Sequence, residues 1–194
     1  LLPAALYNAG MKEMERKPQA GAVLISEPFM NDNHFSRCIV WLVQHSDTGS
    51  VGFKLNDPSG FVMNELMDDF PTGFEVFEGG PVNADNLFFI HRHPGIARSE
   101  EVLPGLYWSG DFDQVKLLAS AGLLLPDEIR LFGGYSGWGA GQLEAEMESG
   151  SWLITAGTPA LIFGEASQQW AAALRSLEAD KHWMIHAPRN IQWN

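Results

Sequence analysis

The side chains here that could do chemistry are six histidines, one cysteine, a serine framed by glycines and several paired acids. His91 and His93 stand two apart, so on a strand their imidazoles share a face, and Asp32 or His34 would complete a metal site. His182 and His186 are four apart, one helical turn, but lack the glutamate that a zinc hydrolase of the H-E-x-x-H type uses as its base. His45 ends an apolar run beside a turn and suits a structural hydrogen bond better than a base. Ser136 lies in Gly134-Tyr135-Ser136-Gly137-Trp138, where a nucleophile elbow would need glycine in place of Trp138. A turn serine bonding its own backbone explains it equally well. The pairs Asp68-Asp69, Glu100-Glu101 and Asp111-x-Asp113 could share a proton as catalytic dyads, yet adjacent acids on loops are usually solvated. No complete set of acid, base and nucleophile emerges, so no residue is assigned as catalytic and none as a metal ligand.

The glycine-dense stretch from Gly133 to Gly141 reads as a turn between a strand and a helix, where backbone amides can cradle a phosphate. Its glycines match neither G-x-G-x-x-G nor the Walker spacing, no lysine follows, and Glu144, Glu146 and Glu148 crowd the next helix. Positive φ or close packing beside Trp138 is the expected reason for them. Cys38 sits inside an apolar strand-like run, where burial raises a thiol pKa and keeps it inert.

The elements that must position these residues follow from periodicity. Gly21 to Ile25 reads as a strand ended by Glu27-Pro28, and Asn31-Asp32-Asn33-His34 as a polar loop. Arg37 to Val43 is apolar on both faces, which suits a central covered strand. Asp47-Thr48-Gly49-Ser50 turns it into a hairpin whose second strand, with Val51, Phe53 and Leu55 alternating against Gly52 and Lys54, is expected to be half exposed. After a turn at Asn56 to Gly60, a short helix is expected over Phe61 to Met67 with Phe61, Val62 and Leu66 inward.

Further strands are expected around Phe74 to Phe77, Leu87 to Ile90, Tyr107-Trp108, Ile129 to Tyr135, Trp152 to Thr155 and Ala160 to Phe163. Asp111 is placed to cap a helix running to Gly122. A short helix carries Leu143 and Met147, and Ala166, Trp170, Ala173, Leu174 and Leu177 form the clearest helical stripe. Strands outnumber helices and the hairpins are local, so α+β or mixed-sheet packing fits better than a strictly alternating parallel sheet.

With 194 residues, 45% hydrophobic and 19% charged, the chain reads as one domain over residues 1–194: an N-terminal extension over 1–20, a core over 21–180 and a tail over 181–194. Its apolar runs are far shorter than a membrane helix, and a secretory leader is not evident, so the cytoplasm is the expected location. Twelve bases against twenty-four acids give a net charge of −12, the wrong field for phosphate contacts. Residues 57 to 113 hold eleven acids and two bases, Arg92 and Arg98. Direct nucleic-acid binding is disfavoured.

Three ordered stretches resemble the YqgE/AlgH family. The first is Gly21-x-Val23-Leu24-Ile25-Ser26-x-Pro28, then Phe35-x-Arg37, Trp41-Leu42, His45, Gly49 and Gly52-Phe53-x-Leu55-Asn56; the second is Gly79-Gly80-Pro81-Val82. The third is Gly134-Tyr135-Ser136-Gly137-Trp138-x-x-Gly141-Gln142-Leu143-Glu144-x-Glu146, with Trp152 beyond. The likeness spans Gly21 to Leu177, with Ala140 where many relatives carry proline and Asp57 where a basic residue often stands. It implies a mixed, largely antiparallel sheet curled into a partial barrel with helices packed outside, and it brings no established activity. Some relatives are labelled transcriptional regulators.

The residues shared with that family are largely glycine, proline, amide and aromatic types, which shape backbone and contact surfaces. The expected site therefore groups Gly79, Gly80 and Pro81 with Tyr135, Ser136, Gly137, Trp138 and Gln142, joined by Arg37, His45 and Asn56. The expectation is a non-enzymatic binding or regulatory module with a protein or small-molecule partner and no cofactor. The rival is a small-molecule hydrolase, metal-assisted through His91, His93 or His45; a DNA-binding regulator is third.

Overall fold

The computed structural model describes residues 17–30, 32 and 34–188; most of the expected N-terminal extension, Asn31 and Asn33 of the expected polar loop, and the tail from residue 189 lie outside them. Among the described residues ten strands build one mixed sheet: β1 (Ala22–Ser26), β2 (Ile39–Ser46), β3 (Gly49–Lys54), β4 (Pro58–Val62), β5 (Glu75–Glu78), β6 (Val82–His91), β7 (Glu100–Leu103), β8 (Leu106–Trp108), β9 (Ile129–Gly139) and β10 (Trp152–Ala156). The main path runs β10-β1-β2-β3-β9-β6-β8-β7, with β5 pairing β4 and β9. Every ladder is antiparallel except β5 on β9.

The sheet curls without closing. Leu103 on β7 lies where a side chain on Gly21 would sit and also crowds Gly157, so the two ends of the sheet meet through an apolar contact and no ladder joins them. This is the α+β, partly barrel-like sheet expected above.

Val23, Ile25, Ile39, Trp41, Phe53, Ile90 and Phe132 fill the inside of the curl, packed with the buried residues of α4 (Pro159–Ile162) and α5 (Ala166–Arg175). Each fully buried side chain of this size contributes about 1.5–3 kcal/mol relative to exposure. Leu24, Val40 and Leu42 point the other way on β1 and β2 and pack with Leu143 of α3 (Gln142–Glu148), which covers that outer face. A third cluster unites Val76, Phe89 and Leu131 with Val115 and Ala119 of α2 (Phe112–Ser120). Asp111 caps α2 as expected, its side chain accepting from the amides of Asp113 and Gln114.

Several local expectations are corrected. The second hairpin strand is buried, not half exposed: Gly52 admits no Cβ against Val40 and Trp41, and Lys54 is 4% exposed, paired at 2.6 Å with Asp57. Phe61 belongs to β4, and the helix there, α1 (Met63–Leu66), turns Met63 inward while Phe61 and Leu66 stay exposed. The segment expected as a strand from Ala160 to Phe163 is mostly α4, started by the Thr158 hydroxyl, which accepts from the Leu161 amide, with Pro159 in its first turn. The stretch from Gly133 is strand as far as Gly139, not a turn.

Candidate functional site

That glycine-rich strand is the hub of the molecule. One edge of β9 carries β6, and the other is shared end to end: β5 pairs with residues 131–133 and β3 with residues 136–139. Between β5 and β6 the chain has only Gly79, Gly80 and Pro81, and it must pass from one side of β9 to the other. Two strand spacings are about 9–10 Å, so three residues reach only if they run straight across the face of β9. Contact this close leaves no space for side chains. A Cβ on Gly79 would land on the Gly134 carbonyl, and one on Gly80 on the backbone of Tyr135 and Ser136.

Gly134 has φ +70, and the alternation of β9 shifts there. Phe132 and Tyr135, three apart, both face the inside of the curl, whereas Ser136 and Trp138 face outward. The outward Ser136, 0% exposed, donates its hydroxyl to the Gly79 carbonyl at 3.0 Å and so holds the crossover.

The crossover ends at Pro81, which with Phe35, Gly137, Trp138, Gln142, Glu146 and Trp152 lines a cleft of about 440 Å³. Phe35 lies 6.4 Å from Trp138 and 5.4 Å, edge-on, from Trp152 (centroid distances). Glu146, half-buried on α3, organises the polar side. Its Oε2 accepts from the indoles of Trp138 at 2.9 Å and Trp152 at 2.8 Å, and its Oε1 from the Gln142 amide at 2.9 Å. Gln142 in turn accepts from the Gly139 amide at 3.0 Å.

Gly137 and Trp138 also border a larger cleft of about 780 Å³, lined by Tyr135, Val82 and the tip of the β2–β3 hairpin with His45 and Ser50. His45 Nδ1 is 2.8 Å from Ser50 Oγ, and its Nε2 is 3.6 Å from Glu144.

Of the expected site residues, Pro81, Tyr135, Gly137, Trp138, Gln142 and His45 therefore line one or both clefts. Gly79, Gly80 and Ser136 lie beneath them as scaffold. Arg37 and Asn56 are placed elsewhere. Asn56 accepts from the Ile39 amide and donates to the Arg37 carbonyl, while the Arg37 guanidinium bonds the Ala187 carbonyl and lies 4.9 Å from the Trp170 ring. Glu146 stands in the sequence as a charge against phosphate and as part of the third family-like stretch, but not among the expected site residues; its four-residue spacing from Gln142 on one helical face was the available signal.

The histidine pair does not open onto either cleft. His91 is fully buried, its Nδ1 accepting the His93 amide at 3.2 Å and its Nε2 donating to the Ser109 carbonyl at 3.1 Å. Burial holds its pKa below the ordinary 6.5. His93 Nδ1 accepts from Gly95 at 3.1 Å, and His182 Nε2 bonds the Leu177 carbonyl at 3.1 Å. Cys38 is buried, and desolvation pushes its thiol up to about 12. Arg130 is a buried cation that donates to the Leu55 and Gly164 carbonyls and to Gln169; desolvation pulls it down to about 10.

Fold and site together define a curled-sheet α+β protein whose glycine motifs build a strand crossover beneath an aromatic cleft. The chain belongs to the AlgH-like family (DUF179), whose model matches residues 23–182. A UPF0301 protein of Chlorobium luteolum is 40% identical over 172 residues, covering 87% of this chain and 91% of its own. One from Cytophaga hutchinsonii is 39% identical over 179 residues, covering 90% and 98%. The solution structure of the AlgH protein from Pseudomonas aeruginosa superposes with a TM-score of 0.69 at 29% identity, covering 87% of this chain and 94% of that one. A Corynebacterium diphtheriae crystal structure shares the fold, with a TM-score of 0.73 at 23% identity and coverage of 92% and 96%.

Proposed function

We propose that this protein is a non-enzymatic binding or regulatory module that seats a small molecule or a partner's side chain in the cleft between Trp138, Trp152, Phe35 and Pro81. The observation that carries this reading is the Glu146 carboxylate, fixed by three N–H donors at the wall of an aromatic cavity. Such a group is oriented before any ligand arrives, which reduces the ordering that binding requires. The groups best suited to catalysis support the same view, since Ser136 is buried on a carbonyl and both His91 and His93 take backbone amides on Nδ1. A cytoplasmic setting and a partner other than nucleic acid accord with the acidic charge.

The test is native mass spectrometry of whatever co-purifies with the protein, small molecules and proteins alike, compared with Gln142→Ala and Trp138→Phe. Loss of the bound species in both folded variants supports the cleft. Retention in both at wild-type level removes it.

One observation favours a hydrolase reading instead. Ser50, His45 and Glu144 lie in sequence of contact beside the larger cleft, an order in which a base and its orienting acid could activate a hydroxyl. Labelling of Ser50 by a fluorophosphonate, abolished in His45→Ala, would establish it; no labelling at Ser50 dismisses it.

A further inference from the structure

We infer that the 440 Å³ cleft takes the cationic nitrogen of its ligand, an alkyl guanidinium or ammonium, against the carboxylate of Glu146; this rests on the cleft being the binding site proposed above. All three groups that bond Glu146 are neutral: two indoles and an amide. Neutral donors orient a carboxylate without cancelling its charge. Among the described residues no lysine, arginine or histidine pairs with Glu146. The cleft lining contains no basic side chain, and Asp32 adds a second acid.

A half-buried carboxylate with no counter-ion is an incomplete arrangement, because charge removed from water is costly unless paired. A ligand cation completes it. Oε2 already has two donors, but Oε1 has one and keeps a lone pair for a further N–H. The rings of Phe35, Trp138 and Trp152 bound the same space, giving the ligand's alkyl portion an apolar wall and its charge the attraction of π systems. An anion would meet two carboxylates and nothing to balance it. The net charge of −12 also concentrates cations near the surface.

The experiment is a titration of the ¹⁵N-labelled full chain with agmatine and, separately, with a short end-blocked peptide carrying one arginine. The readout is the indole N–H resonances of Trp138 and Trp152, with inorganic phosphate as the opposite charge. At least one cation is expected to shift both indoles, with affinity falling on added salt and weakened at least about tenfold in Glu146→Gln, which keeps an acceptor in place of the carboxylate. Response to agmatine alone points to a free small cation, and to the peptide alone to a protein segment.

The inference is overturned if neither cation moves the indoles, if folded Glu146→Gln binds as tightly as the parent, or if phosphate alone binds. Should Glu146→Gln not fold, the salt dependence in the unaltered chain decides: an affinity indifferent to salt refutes the ion pair. A neutral or anionic compound that shifts these indoles where the cations do not leaves the cleft standing as a binding site and removes its cation preference. Perturbations that all fall elsewhere remove both.

Discussion

The Ser136 hydroxyl donates to the Gly79 carbonyl at 3.0 Å, tying the β5–β6 crossover to the strand it passes over. Residues 57 apart in sequence thus set the floor on which Pro81 and Trp138 meet. Ser136→Ala removes that bond but leaves the Lys54 amide on the same carbonyl at 2.9 Å, so a cost of about 0.5–1.5 kcal/mol is expected in denaturant unfolding. Gly80→Ala is expected to cost more, because its Cβ would overlap the backbone of Tyr135 and Ser136. The reverse ordering would refute the crossover as the source of the glycines.

Glu146 holds two aromatic N–H groups at once. Glu146→Ala strands the indoles of Trp138 and Trp152, both less than 10% exposed. Hydrogen bonds to a charged acceptor contribute about 1.5–3 kcal/mol, so a loss of at least that size is expected, with the Trp138 and Trp152 indole resonances displaced. Unchanged stability together with unchanged indole signals would show that the network does not form in solution.

His91 makes folding pH-dependent in a definite direction. Its pKa is held below 6.5 by burial, so the folded state binds a proton less readily than the unfolded state. Its contribution is complete above pH 6.5 and is lost as pH falls from there toward the lower folded value. Urea midpoints measured from neutral to mildly acidic pH should decline below 6.5, with a shallower decline in His91→Gln. An equally steep decline in that variant would assign the effect to other groups.

Cys38 should not react with iodoacetamide in the folded protein near neutral pH, because its thiol is buried and pushed up to about 12. It should alkylate readily in denaturant. Rapid native labelling would contradict the packing of β2 against α3.

How much of this was legible in the chain depends on the range of the interaction. The β2–β3 hairpin, the Asp111 cap of α2 and the apolar stripe of α5 are local patterns, and they appear where periodicity placed them. Arg37 and Asn56 carried the right chemical types for a site, but Asn56 bonds the backbone of Ile39 and Arg37, and Arg37 reaches the Ala187 carbonyl and the Trp170 ring, contacts that only the folded chain brings near. The crossover is invisible locally: Gly79-Gly80 reads as a turn until Gly134, more than fifty residues later, is placed beneath it. Ala160 to Phe163 was too short and apolar for periodicity to separate strand from helix, though Thr158-Pro159 carried a helix-start signal. Phe61 and Leu66 are exposed against their hydrophobic type, while Met63 turns inward to the cluster of Phe70 and Phe74 and Met67 packs against it.

The most direct test of the account is a protein-detected NMR screen of a fragment set spanning cationic, neutral and anionic compounds. Binders are expected to perturb the Trp138 and Trp152 indoles and the Gly137 amide together. Perturbations gathered instead around His91 or Arg130, with those three signals unmoved, would contradict it.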